Sequence, residues 1–153
     1  MMGMSGLIAG YDPGGNNGHG LAVAEFDGFS CRSVSVETLA TAEAVIEKLE
    51  GLDSLRAIGV DTLAAWATGS SSWRPADKWL RSQYKPVQLS IVSPNGLYGS
   101  MGLNGMAVLV SSRRTLPDVR VTETHPKVLY FALTKTKYDY ARNSRLMDSE
   151  LSR

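Results

Sequence analysis

The chain of 153 residues is 43% hydrophobic and 20% charged, the make-up of one soluble globular domain with a sizeable core. No run approaches the roughly 18 apolar residues of a membrane span, and Met1 to Gly6 lacks the basic start of a secretory signal. Cys31 is the single cysteine, which excludes an internal disulfide and a cysteine zinc site. A cytoplasmic address is the default expectation. The net charge of +1 hides a division: residues 1–70 carry 3 Lys+Arg against 9 Asp+Glu, and residues 71–153 carry 13 against 6. An acidic pocket beside a basic surface suits a metal-dependent enzyme acting on phosphates, while two halves that neutralise each other on folding would give the same count.

Leu7 to Asp12 and Leu21 to Phe26 read as strands, and Asp27-Gly28 is the turn signal that folds the second back on Phe29 to Glu37. Thr41 caps a helix carried by Ala42, Val45, Ile46 and Leu49 and closed by Gly51. "AIGVD", Ala57 to Asp61, is short, apolar and bounded, as a buried parallel strand would be. "AAWATGSSSWR" has no period and reads as a surface loop. Pro75 opens a helix reaching about Tyr84, Val87 to Val92 alternates like a strand, and "SPNG" at 93 to 96 breaks it. Residues 100 to 115 suit a helix that Pro117 stops, Val119 to Thr122 suits a strand, and His125-Pro126 opens a last helix through Val128, Leu129 and Ala132. Three strands, a helix, then strands alternating with helices predict an α/β sheet with an antiparallel portion at one edge. No repeat or linker divides the chain, so residues 1–153 are expected to form one domain.

Three of these strands end on a carboxylate: Asp12, Asp61 and Glu123. At the carboxyl edge of an α/β sheet, where ligands usually bind, neighbouring tips lie about 4.8 Å apart. Acids so gathered repel one another unless a hard cation joins them, which points to Mg²⁺ or Mn²⁺. Gly14, Gly15, Gly18 and Gly20 would let backbone approach a metal-bound phosphate and take positive φ where needed. An ordinary Asp-Pro-Gly turn explains the same glycines without function.

"GYDPGG" after an apolar strand, a short hairpin, "IGVDTLAAW", "RPADKWLR", "SPNGLYGSM" and "VTETHPKVLYFAL" together resemble the domain of unknown function 429 family of predicted ribonuclease H-fold nucleases, over about residues 7 to 140. "GYDPGG" is also similar to the first strand of Holliday-junction resolvases of that superfamily. The resemblance implies a ribonuclease H-like fold, a mixed five-stranded sheet of order 3-2-1-4-5 flanked by helices. It also implies Mg²⁺- or Mn²⁺-dependent hydrolysis of phosphodiester bonds in nucleic acid, DNA or RNA. Asp12 then takes the first-strand role, Asp61 the fourth-strand role, and Glu123 that of a third ligand or support. Gly14, Gly15, Arg74, Arg81 and His125 become candidate substrate contacts. Two departures stand out. A complete member is expected to continue into a further acidic helix, whereas this chain stops at Arg153, so Asp148 or Glu150 would have to serve. "DTLAAW" also has leucine where many relatives place a proline-containing turn.

Other readings attach to the same residues. Asp77 and Arg81, one helical turn apart, suit a surface ion pair as well as a phosphate contact. His125 suits a proton shuttle, a metal neighbour or a helix cap, and His19 is expected in solvent. Trp66, Trp73 and Trp79 suit core packing more than base stacking. Two further functions compete: a non-catalytic nucleic-acid-binding or scaffold domain of the same fold, and an actin-like or sugar-kinase-like nucleotide-binding domain. The second normally requires two such domains, and no P-loop sequence is present.

Overall fold

The computed structural model describes residues 5–15, 18–65, 67–68, 70–93 and 99–137. The contacts divide the chain into two compact units, one of residues 1–74 and 93–124, the other of residues 75–92 and 125–153. Among the described residues no helix is long and apolar enough to cross a membrane.

The first unit is built on one mixed sheet of five strands: β1 (Gly6–Asp12), β2 (His19–Asp27), β3 (Ser30–Leu39), β4 (Leu55–Val60) and β5 (Arg120–Glu123). Their order is β3-β2-β1-β4-β5. β1, β2 and β3 pair antiparallel as a meander, and β4 and β5 add in parallel on the far side of β1. The α/β class, the antiparallel edge and the 3-2-1-4-5 order are all present. The hairpin register falls one residue later than the Asp27-Gly28 signal suggests. Asp27 pairs with Ser30, so the two loop residues are Gly28 and Phe29, and Gly28 takes φ of +66°, as the first central position of a primed turn requires.

Alternation along the strands decides which face is covered. Ala9, Tyr11, Leu21, Ile58 and Val60 are buried in one cluster with Val45 and Leu49 of α1 (Ala42–Glu50) and Val108 and Leu109 of α3 (Gly99–Thr115). Burial of each large aliphatic chain contributes about 1.5–3 kcal/mol. On α1 the buried positions Ala42, Val45 and Leu49 keep the i, i+3, i+7 stripe of an amphipathic helix. Its cap is the expected Thr41, whose Oγ1 accepts from the Ala44 N–H at 3.1 Å. On α3 the stripe is Gly105, Val108, Leu109 and Ser112. Gly105 sets how closely that helix approaches: a Cβ there would lie 2.6 Å from Thr62 Cβ and Oγ1 and 3.0 Å from Pro13 Cγ.

The second unit contains α2 (Pro75–Gln83), a 3-10 helix at Lys85–Ser90, and α4 (Pro126–Thr134). The 3-10 helix replaces the strand expected at Val87 to Val92. Pro86 stands at its first turn, where a missing N–H costs nothing. The Val87 N–H bonds to the Tyr84 carbonyl and the Ile91 N–H to that of Gln88, so these amides are satisfied locally. Val87 and Ile91 are buried while Leu89 between them is 86% exposed, a helical spacing that a three-residue alternation mimics. Arg81 donates to the carbonyls of Gln88 and Ile91 and so ties α2 to the end of the 3-10 segment.

Candidate functional site

The carboxyl ends of β1 and β4 lie side by side. The last ladder pair is Tyr11 with Val60, and the Asp61 N–H continues the ladder to the Tyr11 carbonyl at 3.0 Å. Asp12 and Asp61 therefore stand one step beyond that pair on adjacent strands, both exposed, about 4.8 Å apart in backbone. They share the alternation of Gly10 and Gly59, opposite to the buried Tyr11 and Val60. After Val60 the chain turns at once: the Thr62 N–H bonds back to the Val60 carbonyl at 2.8 Å, which leaves Asp61 at the apex of a three-residue turn. Thr62 goes inward, 3% exposed, and its Oγ1 has no hydrogen-bond partner among the described residues.

Glu123, at the tip of β5, is held differently. Its Oε1 accepts from Arg74 Nη2 at 2.8 Å, and its Oε2 from Arg74 Nη1 at 2.9 Å and from the Ala64 N–H at 2.7 Å. Side-chain exposures are 14% for Arg74 and 26% for Glu123, so this forked pair is largely shielded from water, the setting in which bidentate geometry counts most. Two points of the segment after β4, Ala64 and Arg74, are thereby pinned to the sheet edge by one carboxylate. Arg74, a candidate substrate contact, is here the forked partner of Glu123. Among the described residues no group of three or more His, Cys, Asp or Glu side chains comes together to hold a metal. What the fold brings together is the pair Asp12 and Asp61.

The glycine run behind Asp12 is held by one side chain at its end, His19, and by one from α3, Asn104. The Gly14 carbonyl accepts from Asn104 Nδ2 at 2.8 Å, and the Gly14 N–H donates to His19 Nδ1 at 3.3 Å. A Cβ on Gly15 would lie 3.0 Å from Ser100 Oγ, and one on Gly18 2.3 Å from Thr38 Cγ2. Close packing against α3 and β3 thus accounts for these two glycines. Positive φ is found instead at Gly6 and Gly28 among the described glycines.

His19 is not in solvent: it is 3% exposed at the start of β2. Its Nδ1 lies 2.7 Å from the Tyr11 hydroxyl, and the two rings stack 5.8 Å apart at 14°. Because the Gly14 N–H can only donate, Nδ1 is the acceptor, the proton sits on Nε2, and Tyr11 donates. Burial, reinforced by the charges of Asp12 and Glu43, pushes the Tyr11 phenol up to about 12. The signal for both residues was parity: His19 alternates with Leu21, and Tyr11 with Ala9, on the helix-covered face. Asn104 carried no comparable signal.

In the second unit, Asp77 is fully buried rather than one half of a surface pair, and Arg81 faces backbone carbonyls. His125 is the N-cap residue of α4, but its side chain makes no cap hydrogen bond; its carbonyl accepts from the N–H groups of Val128 and Leu129. Trp79 is 57% exposed, unlike the packed residue expected. Trp66, Asn95, Gly96, Asp148 and Glu150 lie outside the described residues. No protein-family model matches this chain, and no curated protein or solved structure matches it.

Proposed function

We propose that this protein is a metal-dependent phosphodiesterase of ribonuclease H-like architecture, acting on nucleic acid, with Asp12 and Asp61 as its metal-holding pair. The observation that carries the reading is the parallel register of β1 and β4, which sets these two exposed carboxylates on adjacent strand tips. Two carboxylates form an oxygen donor set for a hard cation that completes its shell with water and phosphate oxygens, as Mg²⁺ or Mn²⁺ does. Such an ion, when bound, neutralises phosphate charge and acidifies the attacking water. The chain's own residues give the edge its shape. Asn104 and His19 hold the Gly14 backbone next to Asp12, and Glu123 holds Ala64 and Arg74 beside Asp61. Glu123 acts here as a positioning residue, not a ligand.

The test is calorimetric titration of Mn²⁺ into the wild type, Asp12→Asn and Asp61→Asn, followed by hydrolysis of single- and double-stranded DNA and RNA. Loss of both binding and cleavage in each variant, with circular dichroism unchanged, is expected. Metal-dependent cleavage that survives either substitution would refute the assignment. The lack of a third acid at the site among the described residues favours one second reading, a non-catalytic nucleic-acid-binding domain. That reading requires binding that weakens with salt and needs no divalent ion.

A further inference from the structure

β3 ends the sheet, and among the described residues no strand pairs with its outer backbone edge. In an antiparallel pair alternate residues turn their N–H and C=O groups away from the partner strand, so this edge offers unpaired donors and acceptors to a further strand. Edge strands are commonly blunted by proline, by lysine or by a bulge. β3, of sequence SCRSVSVETL, has neither proline nor lysine. Its one irregularity lies at Arg32, skipped where Glu25 pairs with Ser33 and Phe26 with Cys31. From Ser33 to Leu39 the edge is regular. Within it Val34 and Val36 are 61% and 75% exposed. Both lie on the face opposite the helices, since they pair with Ala24 and Ala22 while Leu21 and Val23 face the core.

We propose that this edge pairs with the same edge of a second copy of the chain, antiparallel and centred on Ser35. A two-fold axis normal to the sheet keeps equal faces together, so even-numbered residues meet even-numbered ones. Centred on Ser35, Val34 lies opposite Val36 of the other copy on both sides of the axis, and Glu37 lies opposite Ser33. Both charges of the strand are already matched at home, Glu37 by Lys48 at 3.1 Å and Arg32 by Asp27 at 2.7 Å, so no unpaired charge is buried. Other registers are poorer. Centring on Val34 leaves only Ser33 to Ser35 in a regular ladder before the irregular Arg32, centring on Val36 sets Val34 against Thr38, and centring on Glu37 faces two carboxylates across the axis. In this register the regular ladder, Ser33 to Glu37, is about 17 Å long, a strip well short of the roughly 800 Å² a side of a standard interface, so the contact is a reversible one.

The experiment is sedimentation velocity of the whole chain from about 10 to about 500 μM, the range of weak complexes, in reducing buffer. Wild type should move from 16.5 kDa towards twice that mass. Val34→Lys with Val36→Lys sets lysine opposite lysine twice and should remain monomeric. Val34→Lys with Val36→Glu sets lysine opposite glutamate and should recover dimerisation, which neither a damaged fold nor an interface elsewhere would do. Ser35→Cys in a Cys31→Ser background should form a disulfide dimer on mild oxidation, whereas Cys31→Ser alone should not. A wild type monomeric throughout, equal association of both double variants, or no crosslink through residue 35 would overturn the proposal.

Discussion

Replacing Glu123 by glutamine separates an anchor from a metal ligand. The carboxylate receives two N–H bonds from Arg74 and one from Ala64, at 2.7–2.9 Å, with Arg74 14% exposed. An amide retains one acceptor oxygen but turns its NH₂ group towards a guanidinium N–H, donor against donor, and removes the negative charge that the Glu123 carboxylate sets against Arg74. A hydrogen bond to a charged group contributes about 1.5–3 kcal/mol, and an exposed ion pair at most about 1. For this mostly shielded fork the expected loss is about 2–3 kcal/mol, with a coupling of about 1.5 kcal/mol between Arg74→Met and Glu123→Gln in a double-mutant cycle. Urea denaturation read by circular dichroism measures both, and in a chain of this size the melting temperature should fall by roughly 5–10 °C. Mn²⁺ affinity should change far less than in Asp12→Asn. Unchanged stability together with abolished metal binding would refute the anchor and return Glu123 to the ligand set.

Three further outcomes follow from the packing. Tyr11 is neutral in both states below pH 10; above it the unfolded chain releases a proton that the folded chain holds until about 12. Stability should then fall by about 1.4 kcal/mol per pH unit between those values, a slope absent from the difference between wild type and Tyr11→Phe if the phenol is not its source. Gly105→Ala should destabilise by about 1–3 kcal/mol through the 2.6 Å approach to Thr62, reversing the roughly 1 kcal/mol that alanine gains in a free helix; a stabilised variant would contradict the close approach. Arg81→Met should lower the urea midpoint through loss of its bonds to Gln88 and Ile91 and leave Mn²⁺ binding unchanged, whereas a binding defect without a stability loss would restore it as a ligand contact.

Strands β1, β2 and β4 were legible because each has a local cause: alternating or continuous apolar residues bounded by turn residues. The same rule failed at Val87 to Val92, where the bonds that decide the structure are i to i−3 contacts next to Pro86, and Val87 and Ile91 fit a helix as well as a strand. The acids at the sheet edge were legible as a list, Asp12, Asp61 and Glu123, but not as an arrangement. Asp12 and Asp61 become neighbours through the β1–β4 register, which no local pattern specifies. Glu123 looks the same as the other two in sequence and differs through Arg74, 49 residues away.

That difference bears on how the edge could work. Carboxylates on neighbouring strand tips repel, and a fold can relieve the repulsion with a cation from solution or with one of its own. This chain uses its own for Glu123, through the Arg74 guanidinium, and the described residues show no such ion pair for Asp12. The front half of the sequence, with 3 basic residues against 9 acidic, has few cations to lend, and Arg32 and Lys48 are engaged with Asp27 and Glu37. For Asp12, whose backbone neighbour across the β1–β4 ladder is Asp61, an external cation is then an economical means of relieving the repulsion. The loop that Glu123 anchors would sit beside that cation as a fixed wall, so loosening it by Glu123→Gln should raise the concentration of substrate needed before it lowers the affinity for metal.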